Sequence, residues 1–113
     1  MISKTIIFYL FALASTVVSE ITYPTAGTVW KVGQSAKVSF KAGQSGETVS
    51  LFFNNDRSTS LGGGSIANGD ATFQFTVPQN ALSAAGGSSE LVAVHRLNGH
   101  LQNVDNVNVQ VVH

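Results

Sequence analysis

The sequence contains no cysteine. That absence removes disulfides, thiol nucleophiles and Cys-ligated zinc together, so a small fold must hold by packing alone. Charge is scarce too: 11% of residues are charged, six of each sign, with no run of either. A nucleic-acid binder carries a basic patch or stripe, and none is present. A membrane span needs roughly 20 apolar residues, and no run reaches that length. No stretch repeats apolar residues at spacings of three and four over three turns, so helices are not predicted. No Asn-x-Ser/Thr sequon occurs, so N-glycosylation is not expected, whereas O-linked mannose on Ser or Thr stays open.

What is present begins with a targeting signal. Lys4 precedes an apolar stretch of ten residues, Thr5 to Ala14, and small residues Val17 and Ser19 then stand at −3 and −1 of a cleavage site. Ser15 and Thr16 interrupt the run, which argues for a signal peptide over residues 1–19 rather than an anchor. Cleavage after Ala14 is the alternative. The mature chain would be residues 20–113, 94 in all, with five basic and six acidic side chains. That length suits one domain. A GPI signal needs a C-terminal tail of about 10–20 apolar residues. None precedes His113, so the expectation is a protein released or held at the surface non-covalently.

Alternation runs through the rest. Ala36, Val38 and Phe40 share one face against Lys37, Ser39 and Lys41. Val49, Leu51 and Phe53 do the same from Glu47 to Asn54, and Ala71, Phe73, Phe75 and Val77 follow before Pro78 stops the strand. Asn55 to Gly64 reads as the longest flexible segment. Gln79 to Ser89 reads as a crossover with one helical turn near Asn80, Ala81 and Leu82. Asn68-Gly69 and Asn98-Gly99 are strong two-residue hairpin turns. The second sets Leu97 opposite His100, Arg96 opposite Leu101 and His95 opposite Gln102. Val104 and Val107 are out of phase for one strand, which predicts a bulge near Asp105 and Asn106. About seven antiparallel strands with turns every 8–12 residues predict an all-β, Ig-like sandwich without a disulfide.

The organising stretch is Ile21-Thr22-Tyr23-Pro24-Thr25-Ala26-Gly27-Thr28-Val29-Trp30-Lys31-Val32-Gly33. Ile21 and Tyr23 alternate as in a half-buried strand. Pro24 cannot donate to a ladder, and Gly27 lets the backbone turn, so the chain can change sheets. Val29, Trp30 and Val32 resume apolar contact. Ile-Thr-x-Pro-x-x-Gly-x-x-Trp-x-x-Gly resembles the start of the fungal Ser/Thr-rich GPI-anchored, Knh-type N-terminal domain. The turn from Ile66 to Asp70, the strand end from Phe73 to Pro78 and the closing Val107, Val109 and Val111 extend the likeness over residues 21–112. The resemblance implies an Ig-like sandwich at the fungal cell surface, tied to β-1,6-glucan assembly in the wall. It also implies structural roles for Pro24, Gly27, Trp30 and Gly33.

No catalytic constellation stands out. Glu20, Glu47, Asp56, Asp70, Glu90 and Asp105 fall mostly at strand ends or in turns, where acids are commonly solvated, and no Gly-x-Ser-x-Gly elbow appears. His95, Leu97, His100 and Gln102 share a face in the predicted hairpin. His95 and His100 could bind a metal there with Asp105 or His113 as third ligand, or simply decorate an exposed hairpin. The reading adopted is the exposed hairpin, with no metal and no cofactor. Copper mono-oxygenases that cleave polysaccharides use an N-terminal His, and Glu20 stands there. Phe52 points to the polar face of its strand. It is either a sugar-stacking platform, with Tyr23 and the loop residues Asn55, Asp56 and Arg57, or it is covered by the loop from Asn55 to Gly64 or turned inward by a bulge. The expected function is a secreted, non-enzymatic wall protein or wall-carbohydrate-binding module. The alternative is a small effector or adhesion module that recognises a partner protein. Nucleic acid and a stable membrane anchor are not expected.

Overall fold

The computed structural model describes residues 21–67 and 69–113. The expected signal peptide 1–19, its cleavage site and Glu20 lie outside the described residues, as does Asn68 of the first predicted turn. The described chain forms β1 (Ile21–Tyr23), β2 (Val29–Lys31), β3 (Ser35–Phe40), β4 (Glu47–Phe53), β5 (Gly62–Ser65), β6 (Ala71–Thr76), β7 (Ser89–Leu97) and β8 (His100–Val112). A 3-10 turn at Gln79–Ala81 stands within the crossover where a helical turn is predicted. Two sheets pack face to face, ordered β1-β3-β6 and β2-β8-β7-β4-β5. This is an Ig-like sandwich.

The break at Pro24 and Gly27 does what its residues suggest. β1 pairs antiparallel with β3, Ile21 opposite Phe40. β2 crosses to the other sheet and runs parallel to β8, Trp30 opposite Val111. Splitting the first strand yields eight strands instead of about seven, and one parallel pair in an otherwise antiparallel fold. Gly27 has φ +88, a conformation costly for any residue with a Cβ, and its N–H donates to the Asn108 carbonyl at 2.9 Å. Trp30, at 2% exposure, meets Phe75 edge-on at 5.5 Å, and Phe75 meets Phe53 at 6.3 Å. Val38, Phe40, Leu51 and Leu91 complete the centre of the core. These contacts bury apolar area where a secreted domain of this size usually adds disulfides. Val29 differs from expectation: on a sheet, neighbours of an inward Trp30 face outward, and Val29 is exposed.

Two further expectations are corrected. Gly62, Gly63 and Gly64 belong to an edge strand paired with β4, not to a flexible loop. Their φ values of +134 to +150 are open only to glycine, so a strand forms where side-chain propensity forecasts none. The β7–β8 irregularity lies between His95 and Arg96, with His95 opposite Asn103 and Arg96 opposite Leu101. The extra residue is Gln102, not one near Asp105. Beyond it the alternation is unbroken: Asp105, Val107, Val109 and Val111 point inward, and Val104 faces out at 50% exposure.

Candidate functional site

Moving the bulge to Gln102 brings Asp105 onto the face that His95 shares with Leu91 and Ala93. His95 is fully buried on the inner face of β7, and Glu47, at 2% exposure, is buried beside it on β4. His95 Nδ1 lies 2.9 Å from Glu47 Oε2, and Nε2 lies 2.7 Å from Asp105 Oδ2. Glu47 Oε1 accepts from the Gln44 backbone N–H at 2.9 Å, and the Phe40 ring meets the imidazole edge-on at 5.6 Å. His95 therefore does not decorate an exposed hairpin. Nor do Glu47 and Asp105 sit solvated at strand ends: Glu47 is buried and Asp105 is only 19% exposed. Of His95 and His100 only His100 is exposed, opposite Leu97 and away from His95. Each ring nitrogen of His95 thus faces a carboxylate oxygen within hydrogen-bond distance. Among the described residues no group of three His, Cys, Asp or Glu is arranged to hold a metal ion. Parity was the available signal: Glu47 continues the inward set Val49, Leu51 and Phe53, and His95 continues Leu91 and Ala93.

The loop after β4 is tied to itself. Asp56 Oδ1 accepts from Ser58 Oγ at 2.7 Å and Oδ2 from Thr59 Oγ1 at 2.6 Å. Hydrogen bonds from the Thr59 and then the Ser58 hydroxyl hold the Asp56 carboxyl below its ordinary value. Asn80 also donates to Asp56, and Asn55 donates to the Asn80 carbonyl. Arg57 Nε donates to Asn54 Oδ1 at 2.8 Å, and its guanidinium stands over the Phe52 ring, 5.7 Å from the centroid. Phe52 is thus half-buried under its own loop, as one of the two sequence readings has it. Beside the loop lies a cavity of about 370 Å³ lined by Asn54, Asn55, Ser83, Ser89, Glu90 and Asn108, among others. Much of its polar wall is already spent. Ser83 and Ser89 bond each other at 2.7 Å, Ser89 donates to the Ala81 carbonyl, and Ser83 accepts from Val111 N–H at 2.9 Å.

Tyr23 is elsewhere. It ends β1 on the three-stranded sheet, so it shares no surface with Phe52 on the five-stranded one. At 37% exposure it lines a groove of about 170 Å³ with Trp30, Gln34, Ser35, Lys37 and Gln74. Register explains the wall: Lys37 faces Gln74 across β3 and β6, and Ser35 faces Thr76, on the side opposite the core. Gln34 Oε1 accepts from Lys31 N–H at 2.8 Å, which orients the carboxamide and leaves its NH2 unused. The phenol of Tyr23, the Ser35 hydroxyl, the Lys37 ammonium and the Gln74 amide bond no other side chain or backbone group among the described residues. The sequence singled out Tyr23 but not Gln34, Lys37 and Gln74, because only the pairing of β1 with β3 and of β3 with β6 brings them to one groove.

No family model matches the chain, and no curated protein matches it. Among solved structures, a fibronectin(III)-like module of Clostridium thermocellum CbhA superposes with a TM-score of 0.56 at 18% identity. The match covers 83% of this chain and 94% of that one. At that identity the likeness is one of fold, a two-sheet sandwich of fibronectin III type.

Proposed function

We propose that this chain is a non-enzymatic binding module of the cell surface and that its ligand is wall polysaccharide, in keeping with the Knh-type resemblance. The observation that supports it is where polar capacity is spent. His95, Glu47 and Asp105, the strongest candidates for chemistry, are bonded to one another between the sheets. In the groove at Tyr23 the side chains left with unspent donors and acceptors are neutral amides, a hydroxyl and a phenol, with one ammonium, that of Lys37. Such groups suit a hydroxyl-rich, mostly uncharged ligand better than a nucleic acid or a charged peptide. Secretion follows from the apolar N-terminal stretch, and N-terminal sequencing of protein from the medium should return Glu20 as the first residue. Among the described residues no helix is long and apolar enough to cross a membrane.

The test is a pull-down of the secreted chain with insoluble β-glucan, chitin and mannan, each alone. Depletion from the supernatant by at least one, released by its soluble oligosaccharide, supports the proposal. Recovery of all protein in every supernatant refutes it. A second reading, an adhesion or effector module binding a protein, draws on the outer face of β8. Leu101 is 67% and Val104 50% exposed there, with Val94 opposite Val104 on β7. Under that reading Leu101→Ser and Val104→Ser abolish binding to the partner and leave polysaccharide retention unchanged.

A further inference from the structure

We propose that the groove where the chain changes sheets is a saccharide subsite. In it the Tyr23 ring takes the C–H face of one pyranose, and the Trp30 indole N–H with the Gln34 and Gln74 amides bonds the hydroxyls. This rests on the polysaccharide reading above and adds to it a location and a contact set. The loop cavity is larger, but Asn55, Ser83 and Ser89 on its wall are bonded within the chain. A ligand there competes with those bonds. In the groove the same exchange releases only water, so the net gain per bond is larger.

The indole carries the argument furthest. Trp30 is 2% exposed, and its N–H, a donor only, meets no acceptor among the described residues. The buried side-chain nitrogen or oxygen left without a partner among them is Asn103 Oδ1. The Trp30 N–H is therefore not sealed in the core, and Trp30 lines this groove. A buried Trp usually satisfies its N–H, so a donor on an otherwise buried ring marks a place for an acceptor from outside. Tyr23 stands on the same groove with more than a third of its surface open. One face of a pyranose is a patch of C–H groups and its rim is hydroxyls, which matches an aromatic ring beside amide donors and acceptors. The volume of about 170 Å³ holds roughly five or six waters at ~30 Å³ each, room for one ring of a chain that continues outside. Lys37 on the wall disfavours a cationic ligand.

Trp30 is the only tryptophan, so it reports on the site without labels elsewhere. The probes are soluble oligosaccharides of β-glucan, chitin and mannan, added to the secreted chain while its indole N–H resonance and tryptophan fluorescence are followed. The oligosaccharide whose polymer retains the protein should shift the indole resonance in a saturable way. Tyr23→Ala should weaken binding roughly tenfold, the scale of losing an aromatic contact, with the melting temperature unchanged. Gln74→Ala should weaken it several-fold, whereas Phe52→Ala on the other sheet should bind as wild type. If the polymer retains the wild type while the indole resonance stays fixed and Tyr23→Ala and Gln74→Ala bind normally, the groove is refuted and the polysaccharide reading survives. If none of the three polymers retains the wild type, both fall together.

Discussion

Replacing Glu47 by Ala should be among the most damaging single changes in this domain, although it removes a charged residue from a chain with few. Glu47 is 2% exposed and His95 fully buried, so solvent does not screen the pair as it would at a surface. The substitution strands His95 Nδ1, now 2.9 Å from Oε2, and the Gln44 N–H, now 2.9 Å from Oε1. Breaking a buried pair by removing one partner costs about 3–5 kcal/mol, because the remaining group is left uncompensated. Against a total of about 5–15 kcal/mol for a small domain, that is a large share. Each kcal/mol moves the midpoint by about 4–8 °C at this size, so a fall of at least roughly 12 °C is expected. Urea unfolding of Glu47→Ala, His95→Leu and the double variant Glu47→Ala with His95→Leu forms the assay. The double variant should lose less than the sum of the singles, since the contact between Glu47 and His95 is lost only once. A Glu47→Ala protein within 1 kcal/mol of wild type, or singles that simply add, would refute the account of the cluster.

Gly43→Ala attacks the same cluster from its other side. A Cβ there would lie 2.6 Å from Glu47 Oε1 and 2.8 Å from Ile66 Cδ1, and the expected loss is about 1–3 kcal/mol by overpacking, read from the urea midpoint. A variant as stable as wild type would show that the turn yields freely. Trp30→Ala removes a ring at 2% exposure and should cost about 3–5 kcal/mol. A calorimetric midpoint within a degree or two of wild type would contradict that. Asp56 is held below the ordinary value of 3.8 by hydroxyl bonds. A depressed folded value means stabilisation present above the unfolded value and lost as pH falls through the folded one. The loop should therefore loosen only below about pH 3.8. An NMR titration that places the Asp56 midpoint at or above 3.8 would overturn the assignment.

Much of the architecture was legible because it depends on residues that act locally. Pro24 and Gly27 cannot continue a strand, so a change of sheet could be read from them alone. The alternations at Ala36, Val38 and Phe40 and at Val49, Leu51 and Phe53 identify core faces without any knowledge of partners. β5 was not legible, since three glycines carry no pattern and pair only because β4 offers an edge. The His95 cluster was missed for a related reason. Which face a residue takes beyond a bulge depends on where the bulge sits, and one residue of error inverts every assignment after it. A bulge near Asp105 leaves Asp105 off the face that His95 occupies. Placing it at Gln102 makes Val104 an ordinary outward side chain and delivers Asp105 to His95. The acids on either side were the missing clue: a buried histidine needs partners for both nitrogens, and Glu47 and Asp105 are the two carboxylates whose parity also points inward. The same reasoning separates the surface from the core. Polar groups that the fold needs find each other, as Asp56 finds Ser58, Thr59 and Asn80. Those around Tyr23 do not, and it is this unspent set, invisible until β1 is laid beside β3 and β6, that directs the search for a ligand.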